Sequence, residues 1–449
     1  MTRPLSPPHS DPTPTGQAQV LRQVWAVAWP VVVASMLDAV EGLVDISMVG
    51  QLGPAAISAV GLSRQILFVI MVMAISVSTG SRTLVAQFYG AGRREDLSHT
   101  AQQAILMGVL LSAGLALVGS VIARPALVLL GAQEDVLAHA VPFMRVYFAG
   151  IVFMMPNFII GGIFGGAGDT RTPLKISCLI ICLKIPLTYG LIFGAWGLPQ
   201  LGVTGAALGS VVSRAVGCAV GVYLLTSGRS RVHMRWNWRL PFSRDIIGRM
   251  MRIGVPTGIQ GFFRNGARIL IYRVVGWTSR PTAATAALTI GLQMRMIGIM
   301  PALAFSVAAT ALVGQRLGAK QIREAERFGA NTIRLGMTFI TVSAILICVF
   351  AREIVDLFTD SQAVIDMGYV MLLYFTAAQV FSALSIVAGG VLAGGGETRP
   401  LLYYTIVAQW LLMLPLSYVM AFTLNMDAAA WPRAFWPGPV TGRGCGNRR

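Results

Sequence analysis

The chain has 449 residues, 55% of them hydrophobic and only 12% charged, with a mean hydropathy of +0.69. Soluble domains carry about 25% charged residues, so the composition excludes an ordinary soluble fold and implies membrane embedding. The net charge of +17 then reads as loop charge that sets topology, with no nucleic acid implied. The five cysteines mostly lie in apolar runs without paired spacing, so neither a disulfide framework nor a zinc site is inferred.

In chain order, residues 1–19 are rich in Pro, Ser and Thr and read as a disordered segment. A membrane-spanning helix needs about 20 mostly apolar residues. On that scale six spans fall near 24–48, 56–86, 100–123, 137–162, 173–194 and 202–225. A basic linker, 226–249, follows. Five more spans fall near 250–275, 282–314, 328–351, 363–392 and 400–423, eleven in all. Basic residues gather after spans two, four, six, eight and ten, as with Arg93, Arg94, Arg171, Lys175, Arg316 and Arg399. The alternate gaps hold most of the acids, including Glu134, Asp135, Glu353 and Asp356. The positive-inside rule makes the N-terminus and the basic gaps cytoplasmic.

The chain repeats itself. LVAQFYGAG (84–92) matches LVGQRLGAK (312–320), and 312 − 84 = 228. GIFGGAGDTR (162–171) matches GVLAGGGETR (390–399), and 390 − 162 = 228. KIPLTYGL matches MLPLSYVM at 415 − 186 = 229, and Gln65 maps onto Gln293 at 228. These matches define two homologous lobes, 20–225 and 250–423. An even number of spans between copies gives parallel repeats around a central cleft, the architecture of alternating access. The repeat also calls for a twelfth span. Residues 424–449 contain instead DAAAWPRAFWPGPVTGRGCGNRR, with no apolar run of spanning length. The expectation is a frameshift near 427–432, or a truncated reading frame, that has replaced the twelfth helix.

These residues resemble the multidrug and toxic compound extrusion (MATE) family. Span one has Pro30 and, fifteen residues on, Asp45 in a V-D-x-x-x-V-G setting. The Q-x-x-G-A stretches at 87–91 and 315–319 are similar to the family's loops, as are the G-x-G-D/E-T stretches at 166–170 and 394–398. The resemblance covers about residues 20–425. It implies an all-α integral membrane protein of two six-helix lobes in a 12-helix architecture, lodged in the plasma or inner membrane. It further implies export of organic, cationic or amphipathic compounds in exchange for H⁺ or Na⁺. No enzymatic activity, metal or other cofactor, or nucleic-acid partner is expected. The expected partners are a small organic substrate, the coupling cation and membrane lipids, around a monomer.

Acids within spans are costly, about 2.5–3.5 kcal/mol on insertion scales, and are functional candidates by default. Asp38, Glu41 and Asp45 in span one share one helical face. Three carboxylates on one stripe cannot all ionise cheaply in low dielectric, which favours proton uptake, and a cation such as Na⁺ would also neutralise the stripe. Lys184 in span five is the expected partner of Asp45 or Glu41. Pro30 is expected to kink the first span. Gln65, Gln293, Arg264, Arg268 and Arg295 are candidates for the cavity wall, and Arg64 and Arg214 are further intramembrane cations. The NorM branch of the family carries a Glu in helix seven and an Asp in helix ten. Arg264 and Ser382 stand at those places here, so the resemblance favours the DinF-like branch, which uses the N-lobe acid. A flippase for lipids or lipid-linked oligosaccharides is the alternative. Membrane enzymes would need Asp-rich metal motifs that the sequence lacks.

Overall fold

The structure is a computed structural model that describes residues 16–230, 232–237, 242–276, 281–356 and 362–418; the side chains of 268, 269, 271–297, 362–367 and 371 fall outside the description. The described residues are helical, with no strand. The first six long helices are α1 (Gln17–Gly50), α2 (Pro54–Gly90), α3 (Arg94–Leu129), α4 (Glu134–Gly166), α5 (Arg171–Phe193) and α6 (Val203–Thr226). The next are α7 (Arg244–Gly276), α8 (Pro281–Gly318), α9 (Ile322–Val349), the short α10 (Ala351–Asp356) and α11 (Gln362–Gly395). The last stretch runs from α12 (Arg399–Thr405) through a π-helical segment (Ile406–Met413) into α13 (Leu414–Tyr418).

Local chemistry sets many of the helix starts. Pro54 opens α2, where its missing N–H costs nothing. Glu95 and Asp96, and Glu134 and Asp135, place negative charge in the first turns of α3 and α4. Nine helices or helix portions among the described residues are long and apolar enough to cross a membrane. The other two of the eleven expected spans are α7, with six arginines along its 33 residues, and the stretch from Arg399, whose continuation past 418 lies outside the described residues. The tail 424–449 lies outside them too.

The lobes interlock in a way the span count conceals. The first half of α1 packs against the second lobe: Val20, Val24, Val27 and Ala28 share a core with Phe305, Phe328, Ile340 and Val387. Trp25 lies against Phe305 and Phe339 there. Reciprocally, the start of α7 crosses to the first lobe. Ser76 on α2 donates to Gly254 O (2.6 Å), and Gly80 lies against Met250. The second halves return to their own lobes: α1 meets α5 through its acids, and Gln260 of α7 donates to Thr405 of α12 (3.0 Å). Pro30 and Pro256 mark the two crossings, and 256 − 30 = 226. The region 20–225 is thus contiguous in sequence, but α1 divides its packing between lobes.

The linker is tied down at one end of the bundle. Ser98 and Gln102 of α3 each donate to and accept from its backbone, at Arg235 and Asn237. One position of the repeat carries backbone strain. Gly92 ends its motif at φ 70°; its counterpart Lys320 takes φ 61°, a left-handed conformation that costs a side-chain-bearing residue about 1–2 kcal/mol.

Candidate functional site

The acid stripe of α1 lies where α1, α5 and α6 meet. Lys184, only 2% exposed, is held by two carboxylates: its Nζ donates to Glu41 and to Asp45 Oδ2 (2.7 Å). It does not reach an interface, because its mid-helix position on α5 faces the stripe. Arg214 of α6 donates to Glu41 Oε1 (3.1 Å). Arg64 of α2 stands 4.0 Å from Asp45 Oδ2 and is 44% exposed. Glu41 is therefore doubly paired and buried, while Asp45 shares Lys184 and is more open. Asp38 is exposed and forms no ion pair among the described residues. Three acids face three cations in one lobe. Buried charges are tolerated when paired and hydrogen-bonded in this way.

The second lobe does not repeat this chemistry. At the 226-residue offset of the two prolines, Asp38, Glu41 and Asp45 correspond to Arg264, Ala267 and Ile271; at the 229-residue offset of KIPLTYGL and MLPLSYVM, Lys184 corresponds to Met413. The residues 264–271 include two cations, Arg264 and Arg268, and no acid, so the acid stripe has no counterpart at the matching positions of the second lobe.

The other predicted residues are dispersed. Pro30 is buried inside an α1 that continues through it. Gln65 is exposed on α2 and Arg264 is exposed on α7. Arg268, Gln293 and Arg295 lie on α7 and α8, with side chains outside the description.

The repeated motifs prove to be a seam between lobes. Gln87 Nε2 donates to Gly394 O (3.1 Å), and Gln315 Nε2 donates to Gly166 O (2.9 Å). Both members of each bond map onto the other bond at 228 residues. A Cβ on Gly90 would lie 1.8 Å from Gln315 O, and one on Gly318 1.9 Å from Gln87 O. Only glycine lets the backbones approach so closely. Thr83 adds a bond to Ala393 O (2.9 Å).

The G-x-G-D/E-T threonines have a second symmetric task. Proline distorts the helix in the turn that precedes it. Thr170 donates to Val27 O (2.8 Å) and Thr398 donates to Ile253 O (2.7 Å), each three residues before the crossing proline. Asp169 accepts from Thr172 N (3.1 Å) and Thr172 Oγ1 (2.7 Å), fixing the start of α5. A cavity of about 360 Å³ lies beside this loop, lined by residues that include Gln23, Val27, Asp169, Arg171 and Gln315. Sequence reasoning marked these motifs as loops and missed what they touch. The signal was their recurrence at one spacing, which says that they do the same thing twice.

The MatE family model matches residues 30–190 and 256–419. The probable multidrug resistance protein NorM of Thermotoga maritima is 28% identical over 422 residues, covering 92% of this chain and 88% of its own length. The multidrug resistance protein MdtK of Yersinia pseudotuberculosis is 26% identical over 430 residues, covering 94% and 92%. Among solved structures, an outward-facing multidrug resistance MATE transporter of the MOP superfamily superposes with a TM-score of 0.85 at 22% identity, covering 93% of each chain. A MOP superfamily transporter from Pyrococcus furiosus superposes with a TM-score of 0.84, also at 22% identity and 93% coverage of each. At these identities the structural likeness establishes the fold.

Proposed function

The chain belongs to the MATE family of membrane transporters, and from that premise we propose that it is a proton-coupled antiporter exporting cationic or amphipathic organic compounds. The observation that carries the coupling is Lys184 lodged between Glu41 and Asp45. Its ammonium already occupies the place a metal cation would take between those carboxylates, so Na⁺ would have to displace a tethered charge. A proton needs no such vacancy. Arriving on Asp45, it neutralises one of the two carboxylates that hold Lys184 and leaves Glu41 paired with Arg214. The contact between α1 and α5 then loosens. Because α1 spans both lobes, a change at Asp45 reaches the crossing at Pro30 and the packing of Val20 and Val24 on the opposite lobe. The confinement of the acid stripe to the first lobe, with Arg264 and Ser382 in the second, supports a DinF-like arrangement.

The seam formed by Gln87 and Gln315 lies at the end of the bundle that the basic loops mark as cytoplasmic. A cleft closed there is open to the outside, so the conformation is outward-facing, with the N-terminus in the cytoplasm.

The test is efflux of a cationic dye from proteoliposomes under an imposed ΔpH or ΔNa⁺, for the wild type, Asp45→Asn and Lys184→Met. The expected result is ΔpH-driven flux in the wild type alone. Flux driven by ΔNa⁺ and indifferent to ΔpH, or full proton-driven flux in Lys184→Met, would overturn the coupling scheme.

A further inference from the structure

Arg82 is a half-buried cation, with its Nε sealed from solvent, that the antiport scheme does not use. It sits near the end of α2, beside Thr83, whose hydroxyl bonds across the seam. Its Nε is buried with no hydrogen-bond partner among the described residues, and its guanidinium forms no ion pair with them. Gly165 of α4 and Val307 of α8 close around it: a Cβ on Gly165 would stand 3.5 Å from Arg82 Nε and 3.7 Å from Val307 Cγ1. The guanidinium therefore lies between helices of opposite lobes. Its terminal nitrogens are neither bonded to the described residues nor sealed from open space.

An arginine in such a place favours a counter-charge, because the desolvated part of an unpaired charge is unfavourable. Glu41 and Asp45 are committed to Lys184, Arg214 and Arg64. The seam bonds beside it, from Thr83, Gln87 and Gln315, all join neutral groups. An acceptor from outside the chain can reach its open terminal nitrogens from the interlobe space that rocking opens and closes. A guanidinium presents a planar fork of donors that matches a carboxylate in two parallel hydrogen bonds.

We propose that Arg82 binds the carboxylate of a transported organic compound at the floor of the interlobe space. This rests on the export reading above, which the experiment tests separately.

The probes are two forms of one xanthene dye, with a free carboxylate and as its ethyl ester. Binding to detergent-purified protein is read by fluorescence anisotropy for the wild type, Arg82→Gln and Arg82→Lys. Arg82→Gln is expected to weaken binding of the acid roughly tenfold or more, the usual weight of charge-assisted bonds. The ester should change by less than about twofold, and Arg82→Lys should restore part of the acid's affinity by charge without the fork. A simple alkyl carboxylate should displace the acid dye from the wild type, which keeps the test decisive even where a variant folds poorly. Equal weakening of acid and ester would assign Arg82 a structural role and overturn the proposal, as would unchanged binding of the acid or no displacement by the alkyl carboxylate. Gradient-driven flux of the ester in wild-type proteoliposomes is scored independently. Its absence would remove the export reading and leave the binding contrast standing.

Discussion

The charged cluster of the first lobe and the seam between the lobes are built on opposite principles. The cluster is ionic, one-sided and absent from the matching positions of the second lobe. The seam is neutral, made largely of side-chain amides and hydroxyls on backbone carbonyls, and nearly two-fold symmetric. A gate between two rocking lobes must open and close at modest cost, which suits hydrogen bonds with a net value of about 0.5–1.5 kcal/mol each. A coupling site must respond to one ion, which suits charges held tightly where water is scarce. Symmetry is kept at the seam between the lobes and broken at the charged cluster.

The largest expected effect breaks the ionic side. Lys184→Met leaves Glu41 and Asp45 facing each other with one cation fewer, and removing one partner of a buried pair costs about 3–5 kcal/mol. Thermal unfolding in detergent should fall markedly, and adding Glu41→Gln should recover much of the loss. Next comes the close approach at the seam. Gly90→Ala and Gly318→Ala each force a methyl into a backbone carbonyl, an overpacking cost of about 1–3 kcal/mol. Both should shift spin-label distances across the seam towards the open state, by similar amounts if the two-fold relation holds.

Smaller effects test the symmetry more finely. Gln87→Ala and Gln315→Ala should each destabilise the closed seam by about 1 kcal/mol, read in the same distance distributions. Unequal values would show that one half of the gate leads. Lys320→Gly should stabilise the protein by about 1 kcal/mol in thermal unfolding, since it relieves the left-handed backbone that Gly92 adopts without strain. Arg64→Gln should change stability by about 0–1 kcal/mol, because that partner of Asp45 is exposed and 4.0 Å away. An effect as large as that of Lys184→Met would move Arg64 into the centre of the cluster.

Much of this was legible in the sequence. The spans followed from hydropathy, and the two lobes from the recurrence of LVAQFYGAG and GGAGDTR at 228 residues. The acids of α1 stood out because charge is rare in apolar helices, and Lys184 for the same reason. Arg214 was visible as a lone cation in α6 but had no partner on paper, because its bond to Glu41 joins residues 173 apart in the chain. Gln87 and Gln315 were seen as repeats and not as reciprocal donors. Their acceptors are backbone carbonyls, which any residue supplies and no pattern records.

What the sequence alone determined was therefore periodic or compositional: membrane embedding, helical spans, duplication, and the presence of ionisable groups where lipid forbids them. Those properties arise from local chemistry and the bilayer, and each can be read from a stretch of residues. Which groups meet was decided by tertiary structure. The crossing of α1 and α7 to opposite lobes, the sharing of Lys184 between two carboxylates and the solitary position of Arg82 depend on distances between helices far apart in the chain. Such contacts are set by how all the helices pack together, and hydropathy carries no information about them.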